Sequence, residues 1–188
     1  MTPAPQPLPT LDTTRLRLRP FSVGDLKRLV EVAGQRSVAD TTVSVPHPFT
    51  EEHGRLWIAR CSAEASAGLG AHFVLALREL PDRLCGYAAV KAIKPEHGEA
   101  ELSLWLDEAC AGSGYATEAS RALVAYAFGP LALHRLCAYH MVRNPASGRV
   151  LRRVGFREEG VLRQAVRKWG VWEDVVVVGL LREDWSAG

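Results

Sequence analysis

The sequence predicts an α/β (α+β) fold: a central mixed, mostly antiparallel sheet of about seven strands with one parallel pair, carrying about four helices. Three observations predict it. Short segments along the chain alternate apolar and polar residues, the period-2 pattern of strands with two unlike faces. One of them, Glu99 to Leu106, passes through a break at Asp107 to Ser113 straight into a helical pattern in which Tyr115, Ala119, Leu123, Tyr126 and Ala127 recur on one side. After that helix, His134 to Val142 alternates again, and a strand–helix–strand crossover sets its two strands parallel.

In chain order, Met1 to Leu11 holds four prolines, which oppose regular structure, and is expected to be a flexible tail (1–11) before a single domain (12–188). Thr14 to Arg19 alternates strictly, so Leu16 and Leu18 should point inward and the arginines into water; Pro20 closes the strand. Ser22 with Asp25 three residues on reads as an N-cap, opening a helix through Leu26, Leu29, Val30 and Ala33 to Gly34. Asp40 to Phe49, with Pro46 and Pro48, is expected to be an extended loop, and Thr50 caps a second helix with Glu51 and Glu52 in its first turn. His72–Leu80, Leu84–Ile93 and Glu99–Leu106 form an antiparallel meander with turns at Pro81-Asp82-Arg83 and Lys94 to Gly98. Asn144-Pro145 supplies an Asn cap and a first-turn proline for a short helix ending at Gly155. Two last strands, about Arg157 to Arg167 and Trp172 to Leu181, flank the Trp169-Gly170 turn, completing the order βααβββαβαββ.

Composition narrows the function. A chain of 188 residues, 47% hydrophobic, suits one domain with a sizeable core. No apolar run approaches the roughly 20 residues of a membrane span, and the proline-rich start has no apolar signal core, so no membrane partner and a cytoplasmic location are expected. Cys61, Cys85, Cys110 and Cys137 lack C-x-x-C spacing and a nearby zinc-spaced His pair, which favours reduced structural thiols and no metal site. His134 and His140 share a strand face but are too far apart to share a metal. A net charge of +2 argues against bulk nucleic-acid binding, yet nine Arg or Lys against two Glu between His134 and Lys168 suit an anionic ligand or acidic partner.

Gly112 and Gly114 fall at a helix N-terminus, where unpartnered N–H groups and a positive macrodipole accept a diphosphate and missing Cβ atoms let it come close. Glycines in a tight turn can serve geometry alone, and neither a Walker Lys-Ser/Thr pair nor a third dinucleotide-binding glycine follows. The segment Ala111-Gly112-Ser113-Gly114-Tyr115-Ala116 nevertheless resembles the coenzyme A diphosphate loop of the GCN5-related N-acetyltransferases (GNAT), which reads Arg or Gln, two residues, Gly, any residue, Gly or Ala; Ala111 replaces the Arg or Gln. Asn144-Pro145-Ala146-Ser147, Val150-Leu151, Gly155-Phe156-Arg157-Glu158-Glu159-Gly160, Arg15-Leu16-x-Leu18-Arg19, Gly114 to Ala119 and Asp174 resemble the RimJ/RimL-like subgroup, which acetylates ribosomal-protein N-termini. The resemblance spans about Thr14 to Leu181 and departs from the wider family at Leu151, where many members carry a tyrosine.

This resemblance implies a GNAT fold and an acetyl-CoA-dependent N-acetyltransferase that moves the acetyl group directly, in a ternary complex, to a protein or peptide N-terminal amine or a small amine. It implies acetyl-CoA contacts at Leu104, Leu106, Gly112, Ser113, Gly114, Tyr115, Ala116, Thr117, Asn144, Ser147 and Arg152, with a homodimer possible. An amine attacking a thioester needs a base, a donor for the developing oxyanion and an acid for the thiolate. Glu101, on the non-leucine face of the strand entering the loop, is the first base candidate, followed by Glu99 and water; pairing of Glu101 with an arginine is the competing role. Ser147 is the acid candidate, against a first-turn helix contact, and a backbone N–H of Glu99 to Leu106 is the oxyanion donor. His47, Glu101 and Trp105 are candidate acceptor contacts, in a cleft expected between the Asp40 to Phe49 loop and the last hairpin, against a plain loop role for His47 and core or cleft-wall packing for Trp105. A non-catalytic acyl-CoA-binding regulator is the competing class, and an acetylated aminoglycoside or polyamine the competing substrate.

Overall fold

The expected tail falls largely outside residues 8–185, which the computed structural model describes. Its last residue, Leu11, instead opens a two-residue strand, β1 (Leu11–Asp12), antiparallel to β2 (Leu16–Arg19). Leu8 and Leu11 are drawn in by burial of their side chains on the main core.

The chain continues through α1 (Leu26–Ala33), α2 (Arg36–Thr41), α3 (Glu51–Ser66), β3 (Ala71–Leu77), β4 (Leu80–Lys94), β5 (Glu99–Leu106), α4 (Tyr115–Phe128), β6 (Arg135–Met141), α5 (Pro145–Val154), β7 (Arg157–Lys168) and β8 (Val171–Leu181). One sheet of order β1-β2-β3-β4-β5-β6-β8-β7 results, antiparallel throughout except for the β5–β6 pair. The crossover through α4 produces that parallel pair, as the alternation on either side of the helix predicts. The total is eight strands and five helices because of β1 and α2, each too short to leave a periodic signal.

Three local expectations change. Leu16 and Leu18 are fully buried, but Arg19 is not in water: its side chain is only 18% exposed and forks onto Asp25 at 2.6 and 2.8 Å. Asp25 is held there because it also accepts the Ser22 N–H (2.7 Å), the capping box of the Ser22–Asp25 spacing. Burial alone would raise the Asp25 carboxyl; the Arg19 and Ser22 hydrogen bonds outweigh it and hold the group below the usual carboxylate range. The extended loop begins at Thr42 rather than Asp40, since α2 runs to Thr41. The β3–β4 turn lies at Arg78-Glu79, and Pro81-Asp82-Arg83 occupies a break in strand register, where a missing donor breaks no ladder bond.

Each sheet face carries a core. Leu16, Leu18, Phe73, Leu75, Val90 and Leu102 pack with Leu123, Val124 and Ala127 of α4 and Leu151 and Val154 of α5. On the other face Val74, Ala76, Tyr87, Ala89 and Trp105 pack with Leu29 and Val32 of α1 and Trp57 and Cys61 of α3. The four cysteines are free thiols, and burial pushes Cys61 and Cys85 up to about 12, which keeps them protonated and unreactive.

Candidate active site

The parallel pair is short. Glu99, Ala100 and Glu101 lie opposite Arg135, Leu136 and Cys137, and there the ladder stops although β5 runs on to Leu106 and β6 to Met141. Beyond Glu101 and Cys137 the strands fork, and the facing edges of 102–106 and 138–140 have no strand partner among the described residues. A ligand with amide groups can add between such edges as a short strand.

The end of β5 leads into the loop. Asp107 caps a 3-10 turn, Glu108–Cys110, by accepting the Ala109 N–H (3.1 Å). Gly112 (φ +77°) and Gly114 (φ +81°) then take left-handed conformations that glycine adopts without strain, and Gly114 is the α4 N-cap, with no side chain capping the helix. A Cβ on Gly112 would meet nothing within 4 Å, and one on Gly114 only Arg15 Nη2 at 3.4 Å, so the loop backbone is open to an incoming group. Tyr115, Ala116 and Thr117 form the first turn of α4, so their backbone N–H groups stand at the helix N-terminus beside these glycines. A hollow of about 680 Å³ runs from Gly114 along Thr117, Glu118 and Arg121, walled by Thr13, Arg15 and Arg153. Arg153 of α5 is among its lining residues, and Arg152, the candidate acetyl-CoA contact, is its neighbour on the same helix.

Glu101 sits at the base of the fork, on the face shared with Trp105, and its carboxylate pairs with Lys91 Nζ at 2.8 Å, a lysine in place of the arginine considered as a competing partner. Glu99 is bound twice, by Lys94 (2.8 Å) and by Arg135 (3.1 Å). The Lys94 hydrogen bond, with Arg135 beside it, holds Glu99 below the usual range and makes it the poorer base. Asn144 caps α5, its Oδ1 accepting the Ser147 N–H at 3.3 Å. His140 Nε2 lies 2.8 Å from where a Cβ on Gly148 would be, so α5 starts against the end of β6, at the mouth of the fork. Leu104 and Leu106 are half-buried on the α4 side.

Two expectations on the acceptor side are corrected. Trp105 is 6% exposed, stacked on Tyr87 and edge-on to Trp57, so its side chain belongs to the core under α1 and α3 and not to an acceptor surface. The cleft expected between the loop after α2 and the last hairpin is bridged by contacts. The two touch: Lys168 Nζ donates to the Val45 carbonyl (3.2 Å), Trp169 Nε1 to Asp40 (2.6 Å), and Arg143 bridges Asp40 (2.9 Å) and Glu173 (2.7 Å). Exposed His47 stands edge-on to Trp169, ring centres 5.7 Å apart, as part of this closed rim.

Tyr139 was not singled out by the sequence. It lies one step beyond Cys137 on the face of Glu101, 46% exposed at the fork, with Leu162 of β7 on the same face and 50% exposed. A hydrogen bond with the Cys137 thiol, helped by burial, pushes the Tyr139 hydroxyl up to about 12, so it is protonated at neutral pH. In the sequence it is one more residue of an alternating strand, and only the end of the β5–β6 ladder marks it.

Known proteins share this architecture. The model of the acetyltransferase (GNAT) domain matches residues 15–157. "Probable N-acetyltransferase YjcK" of Bacillus subtilis (strain 168) is 43% identical over 104 residues, 55% of this chain and 58% of that protein. "Uncharacterized N-acetyltransferase YnaD" of the same organism is 27% identical over 94% of this chain and 99% of its own. The "Ribosomal-protein-serine acetyltransferase" of Escherichia coli (strain K12) is 35% identical over 50% of this chain and 52% of that protein. Among solved structures, one described as a "Probable acetyltransferase" superposes with a TM-score of 0.86 at 25% identity, covering 95% of this chain and 100% of its own. The ribosomal L7/L12 α-N-protein acetyltransferase RimL in complex with coenzyme A (TM-score 0.84, 21% identity, 92% of this chain, 98% of that one) and the Vibrio cholerae spermidine N-acetyltransferase in complex with coenzyme A and spermine (0.80, 21%, 92%, 98%) have the same fold. With the model covering most of its length and the fork and loop both in place, the chain belongs to the GNAT acetyltransferase family.

Proposed function

We propose that this protein is an acetyl-CoA-dependent N-acetyltransferase whose acceptor is the α-amine of a peptide or protein, acetylated directly in a ternary complex. The observation that carries this reading is the fork between β5 and β6 leading into the glycine loop at the α4 N-terminus. The diphosphate has a helix terminus and open left-handed glycines, and the amide-bearing arm has two unpaired strand edges. Arg149, Arg152 and Arg153 of α5 have no carboxylate partner among the described residues, which suits the remaining phosphate. Bound acetyl-CoA would supply a thioester carbonyl, open to a neutral amine at the fork and leaving a thiol. Glu101, at the base of the fork, receives the proton of the amine, directly or through water. A backbone N–H on the free edge of β5 faces the developing oxyanion, and Ser147 at the start of α5 returns a proton to sulfur.

Charge favours a monoamine over a polyamine. Around the fork Glu101 pairs with Lys91, Glu99 with Lys94 and Arg135, Glu159 with Arg135, and Asp40 and Glu173 with Arg143, so no unpaired carboxylate among them awaits a second cationic centre. Tyr139 and Leu162 instead offer apolar surface beside Glu101, suited to an uncharged first side chain. An α-amine with a pKa of about 7.7–8.0 is partly neutral at pH 7, whereas a lysine amine near 10.4 would need far more help. The similarity to the Escherichia coli ribosomal-protein-serine acetyltransferase supports the same acceptor class. Incubation with acetyl-CoA and a panel of peptides, aminoglycosides and polyamines, read by thiol release, tests it. Turnover of peptides with free N-termini is expected, and turnover of polyamines alone would refute the acceptor class. The outer edge of β7, at the end of the sheet, suits pairing with a second copy, which light scattering checks.

A further inference from the structure

The loop carries Ala111 where its resemblance calls for Arg or Gln, so no side chain of its own reaches a diphosphate from that position. A guanidinium arrives from elsewhere. Arg15, just before β2, extends to the start of α4, where its Nη1 donates to the Ser113 carbonyl (2.9 Å) and its Cζ lies 4.6 Å from the centre of the Tyr115 ring. Its Nη2 is 3.4 Å from where a Cβ on Gly114 would be, so charge stands directly over the left-handed glycine.

The group is fixed in place. Glu118 Oε2 accepts from Arg15 Nε at 2.7 Å and stands 2.7 Å from Nη2 as an ion pair, while Oε1 accepts the Arg15 backbone N–H (2.8 Å) and the Thr13 hydroxyl (2.7 Å). Burial would raise the Glu118 carboxyl, but these hydrogen bonds outweigh it and hold it below the usual range, so the carboxylate stays charged and the clamp closed near neutral pH. Of the five guanidinium N–H groups two are used in these hydrogen bonds, leaving one on Nη1 and both on Nη2. The side chain is 47% exposed and walls the hollow that opens from Gly114. A clamp between β2 and α4 would need only the Glu118 contacts; the hold on the Ser113 carbonyl and the open wall toward the hollow go beyond that.

We propose that Arg15 is the side-chain ligand of the acetyl-CoA diphosphate, supplying across the fold the donor that Ala111 removes from the loop. The inference rests on the proposed acetyl-CoA site and concerns its diphosphate end alone. Acetyl-pantetheine, which lacks the diphosphate and the nucleotide, separates the two roles of Arg15. By calorimetry, Arg15→Gln should weaken acetyl-CoA binding about 10- to 100-fold, the scale of a lost charge-assisted hydrogen bond, while acetyl-pantetheine affinity and circular dichroism are unchanged. Arg15→Lys, which keeps the charge without the fork, should recover part of the loss, and Arg17→Ala, two residues on in β2 and paired with Asp12, should bind as wild type. Equal losses for both compounds, or none for acetyl-CoA, would make Arg15 a clamp only and overturn the inference. Should Arg15→Gln fail to fold, the same comparison on Arg15→Lys decides. Wild-type protein that binds acetyl-CoA no better than acetyl-pantetheine would instead remove the loop assignment itself.

Discussion

Gly114→Val separates what the loop needs from what the fold needs. Gly114 has φ +81°, where an L-residue pays about 1–2 kcal/mol and a β-branched one the upper end. For a protein of this size each kcal/mol moves the melting point by roughly 2–4 °C, so at that upper end a drop of about 4–8 °C is expected. The new Cβ would stand 3.4 Å from Arg15 Nη2, a contact the exposed guanidinium can relieve by turning outward, so the fold survives. Binding is hit harder. Two methyl groups would cover the N-terminal N–H groups of α4 and move Arg15 off the loop. At about 1.5–3 kcal/mol per charge-assisted hydrogen bond, losing two costs about 3–6 kcal/mol, or roughly 10²–10⁴ in Kd. Gly68→Ala, between α3 and β3 and away from the loop, is the control: its φ is +70° and its Cβ meets nothing within 4 Å, so it should show backbone strain without a comparable loss of affinity. Thermal melts establish folding, and titration calorimetry with acetyl-CoA gives the affinities. A folded Gly114→Val protein with wild-type affinity would refute the loop assignment.

Ser147→Ala should lower kcat at unchanged acetyl-CoA affinity, by about 10²–10⁴ for a full general acid and at the low end for a weakly basic thiolate; a wild-type rate would pass the role to another donor, with Tyr139→Phe next to assay. Glu101→Gln should remove the limb of the pH–rate profile that belongs to the base, and an unaltered profile would take Glu101 out of the mechanism. His72 is 2% exposed, between the Tyr87 hydroxyl (2.8 Å) and Glu64 (2.7 Å), and burial lowers its pKa despite the pull of Glu64. As pH falls below about 6.5 the unfolded chain therefore binds a proton that the folded chain resists, so this histidine's contribution is complete above that pH and declines at up to about 1.4 kcal/mol per unit below it. Urea titrations from pH 7 to pH 5 on wild type and His72→Gln check this, and parallel slopes would contradict it.

The elements legible in the sequence are those with a local cause. Alternation marks β2, β5 and β6, the Ser22–Asp25 and Thr50 caps mark the starts of the first helical segments, and Asn144-Pro145 with Gly155 brackets α5 closely. Gly112 and Gly114 are where the pattern predicts them, with the left-handed backbone that makes glycine necessary. What escaped depends on the other side of the molecule. Strand alternation gives Trp105 a face but not the helices α1 and α3 that cover it. Arg15 and Arg19 look like solvated strand arginines until Glu118 and Asp25 are brought to them, one from 103 residues away. Tyr139 has no motif, since its position at the fork depends on where the β5–β6 ladder ends. The closed rim joining Asp40, Val45, Lys168 and Trp169 likewise follows from the hairpin folding back on the loop, a contact across more than 120 residues.

The most direct test of the account is the position of the acetyl group. A peptide with a free N-terminus, an uncharged first residue and an internal lysine, incubated with the protein and acetyl-CoA and sequenced by tandem mass spectrometry, should carry the acetyl group on its α-amine. Acetylation confined to the lysine ε-amine, or found only on polyamines or aminoglycosides supplied in its place, would contradict it.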